Sequence, residues 1–491
     1  MPAPTHQQLQ EAGDVLPAGA VIAIDGPAGS GKSTTAKAVA RRLGLTYIDS
    51  GAMYRALTRA ALDAGVAPTD EQGLASLADG ATLDLRPGER ESVVLWNGRD
   101  VSTAIRTPEV DANVSEVSAH AAVRQRMVER QRQFGRHGGV VMEGRDIGSV
   151  VFPLATAKIY LDASPEARAE RRWRQFRERG QEADRAEVLQ DLLARDCLDS
   201  GRSESPLTIS PDALVLDSSD WSLDRQLDEV VLACRVNPWL DRRLDWDVRA
   251  ARRACSAKYR LFFDLFDHVG RLLGRREFGR PAATVPPGVI IASNHVSWYD
   301  PPLVGGRFNR GPIHTLAKKE LFVGPVGRGF FRWLDAIPIN RRGYDEEAFD
   351  EARRTLAAGH NLFIFPEGTR RVVGEPGPVR GGLGILAQET GAPILPVFLR
   401  GTSAPEPGGN PQSPLELWFG PVVRLHALER LRQDLDPKEI TQRIGDMYLA
   451  MIGELQARSF ARTPLTAFEQ RLADRQRRRI AAKRPFDKPA D

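Results

Sequence analysis

Apolar positions along the chain come in short solid runs and in helical stripes, and their order predicts most of the elements that matter. Val21-Ile22-Ala23-Ile24 is a solid run that ends at Asp25, crosses a glycine-rich stretch and passes into helical spacing from Thr34 to Leu43. Strand, loop and helix are expected in that order. Val93-Val94-Leu95-Trp96 and Arg99-Asp100-Val101 flank Asn97-Gly98, the dipeptide of a two-residue hairpin turn. A helix is expected after Leu161-Asp162-Ala163-Ser164-Pro165, and a buried strand at Val289-Ile290-Ile291-Ala292, which delivers Asn294-His295 to its C-terminal end. Between them, from residue 236, Pro238, Trp239 and Trp246 stand among alternating charges, and a junction is expected there. From Leu261 onward, Leu261, Phe262, Leu265, Phe266, Val269, Leu272 and Leu273 share one helical side, with Asp264, Asp267, His268 and Arg271 on the other. Such a helix either packs on its own domain or lies at a headgroup boundary. Beyond about residue 430 the chain is helical and increasingly basic, with Arg471, Arg475, Arg477, Arg478, Arg479, Lys483 and Arg484. That stretch is either a solvated tail or a surface for anionic lipid; without interleaved aromatics it does not favour nucleic acid.

Length and composition narrow the class. The 491 residues allow about three ordinary domains or two larger ones. An apolar fraction of 42% with 27% charged residues is that of a folded chain, and a net charge of +4 does not by itself point to nucleic acid. Cys197, Cys234 and Cys255 are widely spaced, without a C-x-x-C pair, so neither a disulfide framework nor structural zinc is expected. Met1 to Gly19 lacks the basic end and apolar run of a signal peptide, and no apolar stretch approaches about 18 residues. A cytoplasmic protein is expected, with peripheral contact to the inner face of the membrane.

Two chemistries stand out. Gly26-Pro27-Ala28-Gly29-Ser30-Gly31-Lys32-Ser33, followed by Thr34, matches G-x-x-x-x-G-K-[ST]. In that pattern backbone N–H groups curl round phosphates, the lysine adds a positive charge and the hydroxyl, here Ser33, can ligate Mg²⁺. His295 and Asp300, in Asn294-His295-Val296-Ser297-Trp298-Tyr299-Asp300, form a base-plus-carboxylate pair suited to deprotonating a hydroxyl. A fused bifunctional enzyme is the expectation.

A phosphate loop alone does not separate a kinase from a GTPase, an ATPase or a translocating motor. Asp49-Ser50-Gly51-Ala52-Met53-Tyr54-Arg55, Glu143-Gly144-Arg145-Asp146 and Arg195-Asp196-Cys197-Leu198-Asp199-Ser200-Gly201-Arg202 together resemble cytidylate kinase over residues 18–235. The resemblance implies an α/β fold with a parallel sheet and a small inserted, sheet-containing monophosphate-binding region. It implies ATP and CMP or dCMP as substrates with Mg²⁺, and no tightly bound organic cofactor. Ser50 and Arg55 would hold the acceptor phosphate, with Arg145 near the phosphates. Asp146, Ser115 and Arg124 would read the cytosine edge, Arg195 and Asp199 would meet the pentose, and Arg202 would close the base pocket. Arg168, Arg171, Arg172 and Arg174 follow on one helix, and Arg171 and Arg172 are the lid candidates. Cys197-Leu198 and Ser200-Gly201 depart from the charged residues frequent in relatives.

Lys319-Glu320-Leu321, Ile337-Pro338-Ile339-Asn340-Arg341, Phe365-Pro366-Glu367-Gly368-Thr369-Arg370 and Ile394-Leu395-Pro396-Val397, in this order after His295, resemble the glycerolipid acyltransferases, particularly 1-acylglycerol-3-phosphate acyltransferase, over residues 256–430. A second α/β domain is implied, joined by a linker at 236–255 and followed by a helical basic extension at 431–491. An acyl thioester is already activated, so a base that takes the acceptor's hydroxyl proton suffices. His295 is that base and Asp300 its orienter. Arg341 and Arg370 are the implied phosphate ligands, and Glu367, Gly368 and Thr369 shape the acceptor pocket. Arg380-Gly381-Gly382 stands where relatives often carry Lys-x-Gly, and Gly382-Leu383-Gly384 is too short for a dinucleotide site. Acyl-CoA or acyl carrier protein would be the donor and lysophosphatidate the acceptor. Phosphatidate and CTP are the two substrates of CDP-diacylglycerol synthesis, which links the halves metabolically. Two alternatives stay open: the same folds acting on UMP or another lysolipid, or one half silent as a membrane tether or nucleotide sensor.

Overall fold

The computed structural model describes residues 19–86, 92–178, 182–200, 207–236, 257–272, 274–279, 288–295, 297, 300–305, 313–340, 343–369, 372, 374–375, 377–402 and 414–482. Two compact units divide the chain at Asp241 and Arg242. The expected linker falls almost wholly on residues 237–256, outside the described residues.

In the first unit, β1 (Val21–Asp25), β2 (Thr46–Asp49), β6 (Val140–Gly144), β7 (Ala157–Asp162) and β8 (Leu214–Asp217) form a parallel sheet in the order β2-β6-β1-β7-β8. β1 is central, and Ile22 and Ile24 are fully buried with Val141, Ile159 and Leu161. Burial on both faces explains why its apolar run is solid rather than alternating. The helix Lys32–Leu43 follows, packed through Ala36, Val39 and Ala40. A separate antiparallel sheet joins β3 (Leu83–Arg86), β4 (Val93–Trp96) and β5 (Arg99–Asp100). Asn97 there has φ 50°, as the expected hairpin turn requires.

The second unit holds seven strands in the order β12-β11-β13-β10-β14-β15-β9. β11 (Ile313–Lys318), β12 (Ile337–Ile339), β13 (Asn361–Ile364), β10 (Ile290–Ser293) and β14 (Ile394–Arg400) run parallel. β15 (Glu416–Phe419) is antiparallel to β14, and β9 (Arg276–Phe278) is parallel to β15. The buried β10 lies between β13 and β14, so its C-terminal end opens beside theirs, the edge where parallel sheets carry ligands. Beyond residue 430, helix Pro437–Arg462 packs on β14, β15 and helix Gly382–Thr390, and helix Ala467–Ala482 follows it.

One expected helical face is rearranged. In helix Ala257–Leu272, Leu265 and Leu272 are exposed as expected of a free apolar side, but Asp267, placed by periodicity on the polar side, is buried. Its carboxylate pairs with Arg271 and with the buried Arg275 beyond the helix. Burial pushes the carboxyl up, but the two guanidinium groups more than offset it and hold it below the usual range. The side chains of Leu261, Phe262 and Leu273 lie outside the described residues. Among the described residues no helix is long and apolar enough to cross a membrane.

Candidate active sites

The glycine loop Gly26–Gly31 links β1 to the helix Lys32–Leu43. Gly26 has φ 150°, and a β-carbon there would sit 2.2 Å from the Leu161 carbonyl oxygen, so no side chain fits. Gly31 is the helix N-cap, no side chain caps the first turn and no acid stands in it. The open N–H groups and the positive end of the helix dipole face the loop. Lys32 is buried and its ammonium donates to the Pro27 carbonyl at 2.6 Å. Ser30 Oγ is fully buried with no hydrogen-bond partner among the described residues, 3.2 Å from where a Gly26 β-carbon would stand. Ser33 and Thr34 are exposed at the loop's mouth.

Beside the loop lie acids to which sequence reasoning gave no role. Glu143, at the end of β6, is buried and accepts from the Tyr47 hydroxyl. Burial and the Asp49 carboxylate push it above the ordinary carboxylate range, against the pull of Lys32 and of hydrogen bonds from Ser33 and Tyr47. Asp25, at the end of β1, accepts N–H bonds from Ile147 and Gly148 at 2.8 and 2.7 Å. Burial still pushes it up to about 6, helped by the Asp146 charge and opposed by those N–H groups and Lys32. The available signal was positional: each acid ends a buried strand next to the loop or to the Gly144-Arg145-Asp146 run.

The residues expected at the acceptor site fall into two groups. Arg124, on helix Ala121–Phe134, and Asp146, just past β6, form a buried ion pair, with side-chain exposures of 5% and 7%. Arg124 also donates to the Ser118 carbonyl at 3.1 Å, and the Ser118 hydroxyl donates to the Ser115 carbonyl at 3.1 Å. Arg124 and Asp146 are thus brought together, and Ser115 connects to them only through its backbone carbonyl and Ser118. Ser50 donates to the Glu143 carbonyl at 2.6 Å, and Arg145 to the Gly144 carbonyl at 3.3 Å. Arg55 pairs with Asp111, which also lies 3.9 Å from Arg172. Arg171 donates to the Ser30 carbonyl at 3.2 Å, to Ser218 Oγ at 3.3 Å and to the Ser219 carbonyl at 3.3 Å, so it is seated on the loop backbone. Arg168, on the same helix, pairs with Asp196 and donates to the Ala28 carbonyl at 3.1 Å. The side chains of Arg195 and Asp199, and Arg202 altogether, lie outside the described residues.

In the second unit β10 hands the chain to Asn294 and His295. The Asn294 amide fixes this exit: it donates to the Leu399 carbonyl at 2.9 Å and accepts from the Leu399 N–H at 2.7 Å. His295 Nδ1 lies 2.9 Å from Asp300 Oδ2, and its ring stacks on Phe365 with centroids 4.0 Å apart. Asp300 is wholly buried, accepts the Ser297 N–H at 2.7 Å on that same oxygen and the Thr402 hydroxyl on the other. An Nδ1–H directed at the carboxylate leaves Nε2 as the ring's basic atom. Glu367 is buried and its charge reaches the buried Tyr448 hydroxyl, whose titration burial has already driven well upward. Gly368 and Thr369 are half-buried, and the Arg380 side chain crosses Gly368, 2.7 Å from where a β-carbon would stand. Arg341 and Arg370 lie outside the described residues.

Comparison with known proteins agrees with this division. A sequence model of the family described as cytidylate kinase matches residues 22–235, and one described as acyltransferase matches residues 280–400. The cytidylate kinase of Symbiobacterium thermophilum is 48% identical over 216 residues, which cover 44% of this chain and 96% of that protein. That of Desulfitobacterium hafniense is 47% identical over 210 residues, 43% of this chain and 90% of that protein. A bifunctional pantoate ligase/cytidylate kinase of Synechocystis is 47% identical over 214 residues, 43% of this chain and 42% of that longer protein. The solved 1-acyl-sn-glycerophosphate acyltransferase of Thermotoga maritima is 23% identical and covers 43% of this chain and 84% of that one at a TM-score of 0.29, a level that bears on neither fold nor chemistry. With an open phosphate loop and a buried Arg124–Asp146 pair in one unit and a His295–Asp300 pair at a strand end in the other, the chain belongs to the cytidylate kinase family through its first half and carries an acyltransferase domain in its second.

Proposed function

We propose that the first unit moves the γ-phosphoryl group of ATP to CMP or dCMP, and that the second moves a fatty acyl group from acyl-CoA or acyl carrier protein to the 2-hydroxyl of 1-acylglycerol-3-phosphate. In the kinase unit, Lys32, the uncapped helix N-terminus and the loop N–H groups hold the ATP phosphates. Ser50, Arg55 and Arg145 hold the acceptor phosphate, and Arg124, Asp146 and Ser115 present paired donors and acceptors to cytosine. Arg195, Asp199 and Arg202 are assigned to the pentose and base on sequence grounds. Arg171 and Arg172 close over the phosphates, Arg171 from its seat on the loop. Ser33, hydrogen-bonded to Glu143, which has Asp49 near it, offers oxygen donors that would suit Mg²⁺. Bound with ATP, that ion neutralises charge on the β- and γ-phosphates.

One observation carries the acyl half: the 2.9 Å contact between His295 Nδ1 and a wholly buried Asp300. With Nδ1–H committed to Asp300, Nε2 accepts the acceptor's hydroxyl proton as its oxygen attacks the thioester carbonyl. The thiolate then leaves and takes the proton back from the imidazolium. Arg341 and Arg370 remain the assigned phosphate ligands, with Glu367, Gly368 and Thr369 shaping the pocket. Peripheral attachment to anionic membrane completes the reading, because donor chain, acceptor and product are lipids. Its support is helix Gly324–Trp333, in which nothing is buried and Val326, Phe330 and Trp333 share one face at 85%, 43% and 36% exposure. Leu265 and Leu272 are a smaller exposed pair.

The test is product analysis with the purified full chain. ATP is offered with CMP, dCMP and UMP, and acyl-CoA and acyl carrier protein are offered with lysophosphatidate and lysophosphatidylcholine. CDP, dCDP and phosphatidate are the expected products. Equal use of UMP, or acyl transfer only to lysophosphatidylcholine, would overturn the respective acceptor.

A further inference from the structure

Arg400 ends β14 and is 2% exposed, yet it is a cation. Its guanidinium donates through Nε and Nη2 to the two oxygens of Glu469, at 2.8 and 2.6 Å, and Glu469 is itself wholly buried. The remaining donors reach the Thr463 and Pro464 carbonyls and Ser459 Oγ. Ser459 in turn donates to buried Glu416 on β15 at 2.6 Å. Every one of these partners on the helices lies beyond residue 400, where the match to the acyltransferase family ends. A bidentate Arg–carboxylate fork fixes direction as well as distance, so the strand end is held in one orientation by the two C-terminal helices.

Immediately after Arg400 come Gly401 and Thr402. Gly401 has φ 86°, and a β-carbon there would sit 2.3 Å from the Pro414 carbonyl oxygen, so this turn is closely packed against its neighbour. Thr402 is 3% exposed and its hydroxyl donates to Asp300 Oδ1, the oxygen that does not face His295. One residue before Arg400, Leu399 is bonded through both its N–H and C=O to the Asn294 side chain. The clamped strand end therefore touches the catalytic segment on both sides of His295: through Asn294 before it and Asp300 after it.

We propose that the C-terminal helices 437–462 and 467–482 set the geometry of the His295–Asp300 pair, with Arg400, Glu469 and Thr402 as positioning residues for acyl transfer. The inference rests on His295 being the base. Thr402 does not touch the reacting atoms; it fixes the carboxylate that aims the imidazole, and Arg400 with Glu469 fixes Thr402. Arg400→Ala would strand Glu469 in the interior and unfold the unit, so gentler changes carry the test. Thr402→Val keeps the shape and removes the hydroxyl. Glu469→Gln keeps the shape and removes the charge, leaving the Arg400 cation to Ser459 and the Thr463 and Pro464 carbonyls, so its melting transition is measured beside the parent's. The full chain bearing each, both together, or Thr402→Ser is assayed with acyl-CoA and lysophosphatidate, alongside His295→Ala.

Each single change is expected to lower kcat roughly 10- to 100-fold, as a sub-ångström misaim does, with KM for lysophosphatidate unchanged. Thr402→Ser restores the parental kcat. The double variant loses less than the product of the two singles, because the Thr402 hydroxyl carries part of what the Arg400–Glu469 fork fixes and the Leu399–Asn294 bonds carry the rest. A parental kcat in Thr402→Val, or losses that multiply in the double variant, would overturn the positioning role while His295→Ala is inactive. Activity retained by His295→Ala would instead overturn the base itself.

Discussion

The two units reach catalytic order by opposite routes. In the kinase unit the anion cradle is one contiguous loop, but the cations assigned to the acceptor and the lid are scattered over separate elements, each with its own partner: Arg124 with Asp146, Arg55 with Asp111, Arg171 with the loop backbone. In the acyltransferase unit the proposed base His295 and its carboxylate are five residues apart, and their support comes from a distant strand end tied to helices near the C-terminus. A site that must take two nucleotides spreads its cations over several elements, each on its own partner. A site that needs one imidazole aimed at one hydroxyl buries its carboxylate completely.

Single deletions should therefore act differently in the two units. The largest effect is expected for His295→Ala, which removes the base from a site with no second one in the motif and should slow acyl transfer by about 10²- to 10⁴-fold, with CMP phosphorylation unchanged. A parental rate of phosphatidate formation would show that His295 is not the base. Next, Arg124→Met strands Asp146 in the interior and should cost the kinase unit about 3–5 kcal/mol in urea unfolding, together with its preference for CMP over UMP. The Arg124→Met, Asp146→Leu double variant should recover stability but not selectivity. If it recovers neither, the pair is not what holds these elements.

The third effect depends on pH. Asp25, pushed up to about 6 by burial, keeps its proton in the folded state over a range where the unfolded chain has lost it. Its contribution favours folding fully below about pH 4, the unfolded value, and is lost as pH rises through about 6. Asp25→Asn should flatten that part of the kinase unit's stability–pH curve, a difference of up to about 3 kcal/mol. An unaltered slope in the variant would place the titration elsewhere. Smallest in stability, Val326→Asp with Phe330→Asp should shift the melting free energy by only about 0.5 kcal/mol, as exposed positions do. Sedimentation with phosphatidylglycerol vesicles should nonetheless be lost. A folded double variant that sediments like the parent would remove this helix from the membrane reading.

Legibility in the sequence divides along the same line. Gly26–Ser33 could be read because its chemistry is contiguous and its strand–loop–helix context is local. His295 and Asp300 could be read for the same reason. The bonds of Asp25 to Ile147 and Gly148 could not, because they depend on β6 lying next to β1, which no periodicity encodes. Nor could the Arg400–Glu469 fork, whose partners stand on β14 and on a helix near the end of the chain. Periodicity identifies an amphipathic helix without saying which side is covered: it put Asp267 in solvent, where Arg275 draws it inward.

Two active sites on one chain should work independently of each other. That independence is tested most directly by measuring CMP phosphorylation and acyl transfer to lysophosphatidate on the same preparations of the parent, Lys32→Ala and His295→Ala. Lys32→Ala should lose about 10²- to 10³-fold in phosphoryl transfer, as deletion of a preorganised charge does, and keep acyl transfer at the parental rate. His295→Ala should show the reverse. A parent that lacks either activity, or one substitution that abolishes both, would contradict the account.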